Sequence, residues 1–136
     1  MTNPTRVEYP AGVVELRDGI VWLTYPPGTV FLPEHVRPQW DAMRAVWGPG
    51  PMLVISDTEG LESVSAETRK LLESPETLEV FGALGILGMN PLGRMLGNFW
   101  LKASRPAFPT RIFGDAESAV AWLRTFESAL GRQVGS

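Results

Sequence analysis

Apolar positions along this chain change their spacing from segment to segment, and the changes mark out its elements. Val13-Val14-Glu15-Leu16-Arg17 and Ile20-Val21-Trp22-Leu23-Thr24-Tyr25 are strand-length runs on either side of Asp18-Gly19, the pair that best supplies the positive φ angles of a two-residue hairpin turn. They predict an antiparallel hairpin. Pro26-Pro27-Gly28 punctuates the chain, and after Pro33 the residues Val36, Trp40, Met43 and Trp47 recur at spacings of four, three and four, which predicts a helix with one aromatic-rich apolar face. Gly48-Pro49-Gly50-Pro51 ends it, and Met52-Leu53-Val54-Ile55 follows as a continuous apolar run, the mark of a central strand covered on both faces.

The second half alternates in the same way. Ser56-Asp57-Thr58-Glu59-Gly60-Leu61-Glu62-Ser63-Val64 reads as a polar connection at the carboxyl end of that strand. Ser65 then reads as a helix N-cap, with Thr68 at the third helical position and Leu71 and Leu72 as the first inward residues. Ser74-Pro75-Glu76 reads as the cap and first-turn proline of another short helical segment. Ala83-Leu84-Gly85-Ile86-Leu87-Gly88-Met89 predicts a strand whose glycines imply the close approach of a backbone or a bulky side chain. After Asn90-Pro91 a helix is predicted from about Leu92 to Ser104, ended by Arg105-Pro106-Ala107-Phe108-Pro109. Thr110-Arg111-Ile112-Phe113 is a short last strand, and Gly114-Asp115 turns and caps a terminal helix with the stripe Ala119, Trp122, Leu123, Phe126 and Leu130.

The order β-hairpin, α, β, α, β, α, β, α predicts an α/β fold: a mixed, mostly parallel sheet opened by an antiparallel hairpin, with about four helices packed on it. One domain is expected over 13–130, preceded by an extension over 1–12 with room for an edge strand and followed by a disordered tail over 131–136.

Composition removes several classes of function. A chain of 136 residues builds a sufficient core without metal or disulfide staples, and the absence of Cys excludes thiolate nucleophiles, iron–sulfur clusters and Cys-zinc sites. With 15 acidic against 12 basic residues and a net charge of −3, nothing electrostatic favours nucleic acid or anionic lipid. The N-terminus lacks the pattern of a secretory signal, so a cytoplasmic location is expected. Val80 to Leu101 carries one charge, Arg94, and has the roughly 20-residue length of a membrane span, but Asn90-Pro91 and the glycines at 82, 85, 88, 93 and 97 break it into a strand and a helix.

Candidate chemistry is sparse. His35 is the one side chain whose ordinary pKa lies near neutrality, and neither Glu34 nor Asp41 stands at the spacing that would orient it, so it reads as a solvated or helix-start histidine rather than a general base. Asp57, Glu59, Glu62 and Glu67 lack the loop spacing of a calcium site; no metal or cofactor is implied, and they form an acidic rim where α/β folds place their binding crevices. The Gly-x-x-Gly-x-x-Gly run from Gly82 to Gly88 lies inside a strand, not in a turn entering a helix, and is no nucleotide fingerprint. Gly93 and Gly97 line one stripe of the helix predicted after Pro91, and one helix face does not hide both Phe99 and Trp100. With Leu96 these residues make a candidate surface for a homodimer or for an apolar ligand.

Two stretches carry a resemblance that spans about Val13 to Phe126. Leu53-Val54-Ile55-Ser56-Asp57-Thr58-Glu59-Gly60-Leu61-Glu62-Ser63-Val64-Ser65 resembles the STAS pattern of an apolar strand ending in Asp, a Gly three residues on, and a helix that opens with a switch serine. Asn90-Pro91-Leu92-Gly93-Arg94-Met95-Leu96-Gly97-Asn98-Phe99-Trp100, followed by Arg105 to Pro109 and Ala121-Trp122-Leu123, is similar to the ending of small bacterial single-domain proteins called SpoIIAA-like or STAS/SEC14-like. The resemblance implies a STAS-like fold and a non-enzymatic regulatory domain. Its implied partner is a protein, an anti-sigma-like kinase or another regulator, bound through Asp57, Thr58, Glu59, Ser63, Ser65 and Arg69. The chain departs from the pattern at the switch. Ser65 stands at the usual Asp, Ala66 at the usual phosphoserine, and Thr68-Arg69 replaces the usual Gly-Leu, which leaves Ser63 and Ser65 as candidate phospho-acceptors. The SEC14-type relatedness implies an alternative, a carrier or sensor of an apolar small molecule or lipid, with its pocket between the strand of residues 83–89 and the helix of residues 92–104.

Overall fold

Asp18 and Gly19 take φ angles of 49° and 78°, so the turn between Arg17 and Ile20 is a two-residue hairpin turn, as the sequence pair predicts. The computed structural model describes residues 3–88 and 108–130. Its strands are β1 (Arg6–Tyr9), β2 (Gly12–Arg17), β3 (Ile20–Thr24), β4 (Thr29–Phe31), β5 (Met52–Asp57), β6 (Leu61–Val64), β7 (Phe81–Leu87) and β8 (Thr110–Phe113). Its helices are α1 (Pro33–Trp47), α2 (Ala66–Leu72), α3 (Thr77–Val80), α4 (Ala116–Arg124) and α5 (Glu127–Leu130). Among the described residues, six strands form one sheet in the order β1-β2-β3-β5-β7-β8, antiparallel as far as β3 and parallel from there on. This is the predicted α/β architecture. β5 lies at the centre, and Met52, Leu53, Val54 and Ile55 are all fully buried.

The sheet's two faces are covered by different helices. Val36, Trp40, Met43 and Trp47 of α1 are buried, as their spacing predicts, and α1 packs on β1, β2 and β3. Ala119 of α4 lies on the other face, in contact with Gly85 of β7. A Cβ at Gly85 would stand 3.6 Å from Ala119 and from the Phe113 ring, which is ordinary packing distance, so this strand glycine is not the site of forced approach that the sequence suggests. The tight glycines are Gly60, where a Cβ would fall 1.9 Å from the carbonyl oxygen of Tyr25, and Gly12 on β2, where it would fall 2.2 Å from that of Thr24.

Several elements differ from expectation. The connection after β5 is not irregular throughout, because Leu61–Val64 forms β6 and pairs in parallel with β4 as a small second sheet. β4 and β6 are short and pair with residues some thirty positions away, which local alternation does not encode. Leu71 does not point inward: it is 40% exposed, while Thr68 is the fully buried residue of α2. Ser74 does start the next turn, but through its carbonyl, which accepts from both the N–H (3.1 Å) and the hydroxyl (2.7 Å) of Thr77. The terminal helix breaks after Arg124. Thr125 turns its hydroxyl back onto the Trp122 carbonyl (2.6 Å), and Thr125 and Phe126 make tightened i−3 bonds. Asp115 caps α4 as predicted, accepting from the Ser118 N–H at 2.8 Å. Ala119 and Leu123 of the terminal stripe are buried and Trp122 and Phe126 half-buried.

The span from Val80 to Leu101 begins as the end of α3 and the strand β7, so it is not one continuous helix, and among the described residues no helix is long and apolar enough to cross a membrane. The helix predicted over residues 92–104, with Gly93, Leu96, Gly97, Phe99 and Trp100, lies outside the described residues, as do the tail over 131–136 and the side chain of Leu130. Phe108 is described; it is buried and stacks on Phe81 with ring centroids 5.1 Å apart.

Candidate functional site

The chain leaves β5 through a turn that its own side chains fasten down. Asp57 Oδ1 accepts the N–H of Glu59 at 3.1 Å, and the N–H of Leu61 closes onto the Thr58 carbonyl at 3.0 Å. Thr58 is buried and gives both its N–H (3.2 Å) and its hydroxyl (2.7 Å) to the carbonyl of Leu87 at the end of β7. Gly60 fits beneath the Tyr25 carbonyl, and its own carbonyl accepts the N–H of Thr29, which ties the turn to β4. β6 then runs to Ser65, whose Oγ accepts the N–H of Thr68 at 3.1 Å in the predicted cap. Thr68 Oγ1 gives its proton to the Phe31 carbonyl at 3.0 Å, so in the 2.7 Å pair between the two hydroxyls Ser65 is the donor. Arg69 donates to the Val64 carbonyl at 3.1 Å.

These bonds divide the sequence-predicted site residues. Thr58 and Ser65 anchor the segment, and Asp57 shapes its turn. Glu59 is exposed, and Ser63 and Arg69 are half-buried. Asp57 and Glu59 border a shallow cleft with Thr24, Tyr25 and Pro27, whereas Thr58 and Arg69 border a separate cavity beneath β6 and α2. Asp57 and Glu59 therefore share one concavity and Thr58 and Arg69 another, while Ser63 and Ser65 border neither of them.

The cavity has a volume of about 80 Å³. Its floor is one row of the sheet, Leu23, Ser56 and Ile86 on adjacent strands, together with Leu84 and Phe81. Phe31, Leu61, Val64 and Leu72 close it from above. At one end stands a polar group that composition and motif do not reveal. Gln39 of α1, 2% exposed, donates from Nε2 to the hydroxyls of Tyr9 (2.7 Å) and Tyr25 (3.0 Å), and Tyr25 is also hydrogen-bonded to Ser56. Burial pushes the pKa of both phenols well above the ordinary value near 10. One sequence signal does point here: Gln39 lies three residues after Val36 and four before Met43, a polar residue inside the apolar stripe of α1.

The Nδ1 of His35 accepts the N–H of Leu32 at 3.0 Å and its ring stacks on Phe31, a helix-start role of the kind the sequence suggests. Among the described residues no group of three or more His, Asp or Glu side chains is placed to hold a metal ion.

A family model described as "Domain of unknown function (DUF7793)" matches residues 14–127. The chain belongs to the DUF7793 family. No curated protein matches this DUF7793 domain. Among solved structures it is similar to an uncharacterised protein of the DUF3478 family with a SpoIIAA-like fold from Shewanella loihica PV-4, at a TM-score of 0.56 and 15% identity over 90% of this chain and 98% of that one. The likeness establishes the fold: this DUF7793 domain has a SpoIIAA-like α/β fold, as the resemblance in sequence implies.

Proposed function

We propose that this domain is regulatory and non-enzymatic, and that it acts by binding a protein partner through the segment from Asp57 to Arg69. The observation that carries this reading is how the segment is held. Its anchoring groups are turned inward, Thr58 onto the Leu87 carbonyl and Ser65 and Thr68 onto each other and the Phe31 carbonyl, while Glu59, Glu62 and Glu67 are exposed. A fastened segment loses little conformational freedom on docking, and its acidic side chains suit a partner with a basic surface. Of the two candidate phospho-acceptors, Ser65 already spends its proton on buried Thr68, so Ser63 on β6 is the one whose modification would leave the α2 cap in place.

The test is recovery of a partner from lysate by the purified domain and by Asp57→Ala, Ser63→Ala and Ser65→Glu, each first checked for folding. At least one substitution is expected to lower recovery of the same partner by about tenfold, the effect of losing one interface hot spot. Unchanged recovery by all three removes the segment as the binding surface.

A further inference from the structure

The cavity beneath β6 and α2 joins apolar walls to a polar end whose hydrogen-bonding capacity is incompletely used. Gln39 commits both Nε2 protons to the two tyrosines, which leaves its Oε1 as an acceptor, while the phenol of Tyr25 is already engaged by Gln39, Ser56 and Tyr9. Among the described residues Leu23, Leu84, Ile86, Phe31 and Leu61 give apolar wall, and the hydroxyls of Ser56 and Thr58, which also border the cavity, are engaged with Tyr25 and with the Leu87 carbonyl. Arg69 borders the cavity but donates to the Val64 carbonyl, so it helps to build the wall.

We propose that this cavity is a binding site for a small uncharged molecule with a compact apolar body and one hydroxyl-type end, the class of short-chain alcohols. Size sets the upper bound. A dry apolar cavity of about 150 Å³ takes one benzene, and this cavity, at about 80 Å³, takes a body of only a few carbon atoms. An uncharged end is favoured beside Tyr25, since a carboxylate there would bear the same desolvation that raises both phenols. The hydroxyl end is placed by the Oε1 of Gln39, and the apolar body lies over Leu84 and Ile86 beneath Val64 and Leu72. Because Val64, Arg69 and Leu72 belong to β6 and α2, an occupant would steady that part of the chain. The proposal does not rest on the partner reading, and a domain that binds no protein through Asp57 to Arg69 still tests it.

The experiment is an amide-resolved NMR titration of the whole chain with 1-butanol, with butyrate as the charged counterpart and xenon as a probe of the apolar walls alone. Saturable shifts are expected from 1-butanol at Tyr25, Gln39, Ser56 and Leu84, with none from butyrate at the same residues. Gln39→Met keeps the length of the side chain and removes the Oε1 acceptor; it is expected to weaken 1-butanol severalfold, the worth of one hydrogen bond, and to leave xenon binding in place. Leu84→Phe fills the cavity and is expected to abolish both, and Val64→Phe fills it from the rim if the first variant does not fold. Shifts that never saturate, that spread over the surface, that persist in the filled variant, or that butyrate reproduces at these residues overturn the proposal.

Discussion

Tyr9 and Tyr25 are the only tyrosines of the chain, and both meet at Gln39. Their folded-state pKa values are raised by burial above the unfolded value near 10, so the stability they lend is complete below about pH 10 and is lost as pH climbs beyond it toward the folded values. Each pH unit within that window removes about 1.4 kcal/mol per tyrosine. Tyrosinate absorbance during an alkaline titration is therefore expected to rise only together with unfolding; a rise near pH 10 in the folded protein would contradict the buried network. Two glycines give a second test at this scale. Gly60→Ala drives a methyl into the Tyr25 carbonyl and is expected to cost about 2 kcal/mol or more in denaturant unfolding, whereas Gly85→Ala places one at packing distance and is expected to be neutral or to stabilise by about 0.5 kcal/mol. The sequence alone points to the second glycine and misses the first, because close backbone approach between Gly60 and Tyr25 is a product of tertiary packing.

At the scale of elements, α2 depends on its cap. Ser65→Ala removes the acceptor for the Thr68 N–H and the donor to the Thr68 hydroxyl, and is expected to lower stability by about 1 kcal/mol in thermal or chemical unfolding, with Ser65→Asp recovering part of it. An unchanged stability would show that the Phe31 carbonyl alone holds this junction. The cap is legible in sequence because it is local, as are the Asp18-Gly19 turn, the stripe of α1, the strand β8 and the Asp115 cap. β4 and β6 are not legible. Each is short, and each exists by pairing with a partner some thirty residues away, with a register shift between Thr29 and Val30 that no local pattern encodes. The break between α4 and α5 turns on a single hydroxyl, Thr125 on the Trp122 carbonyl, inside a stripe that otherwise reads as one helix.

For the whole molecule, alternation of buried strands and helices was enough to identify the class of fold, and the stretch from Leu53 to Ser65 was enough to suggest its SpoIIAA-like form, which the likeness to the DUF3478-family structure establishes. The candidate site was legible in part. Asp57 ends β5 and Ser65 caps α2, as the local pattern predicts, but the inward use of the Thr58 and Ser65 hydroxyls, and the cavity with its Gln39 end, follow from β5, β6, β7 and α1 meeting in space. What the fold then presents is a fastened acidic segment at the carboxyl end of its central strand. Site-specific cross-linking maps its use most directly, with a photoreactive residue placed in turn at Glu59, Glu62 and Glu67 and, for comparison, at Glu8 on β1 and Ala121 on α4, all exposed positions. The same partner is expected in covalent adducts from the first three positions and not from the other two. Adducts confined to Glu8 or Ala121, or equally strong from all five, would contradict the account.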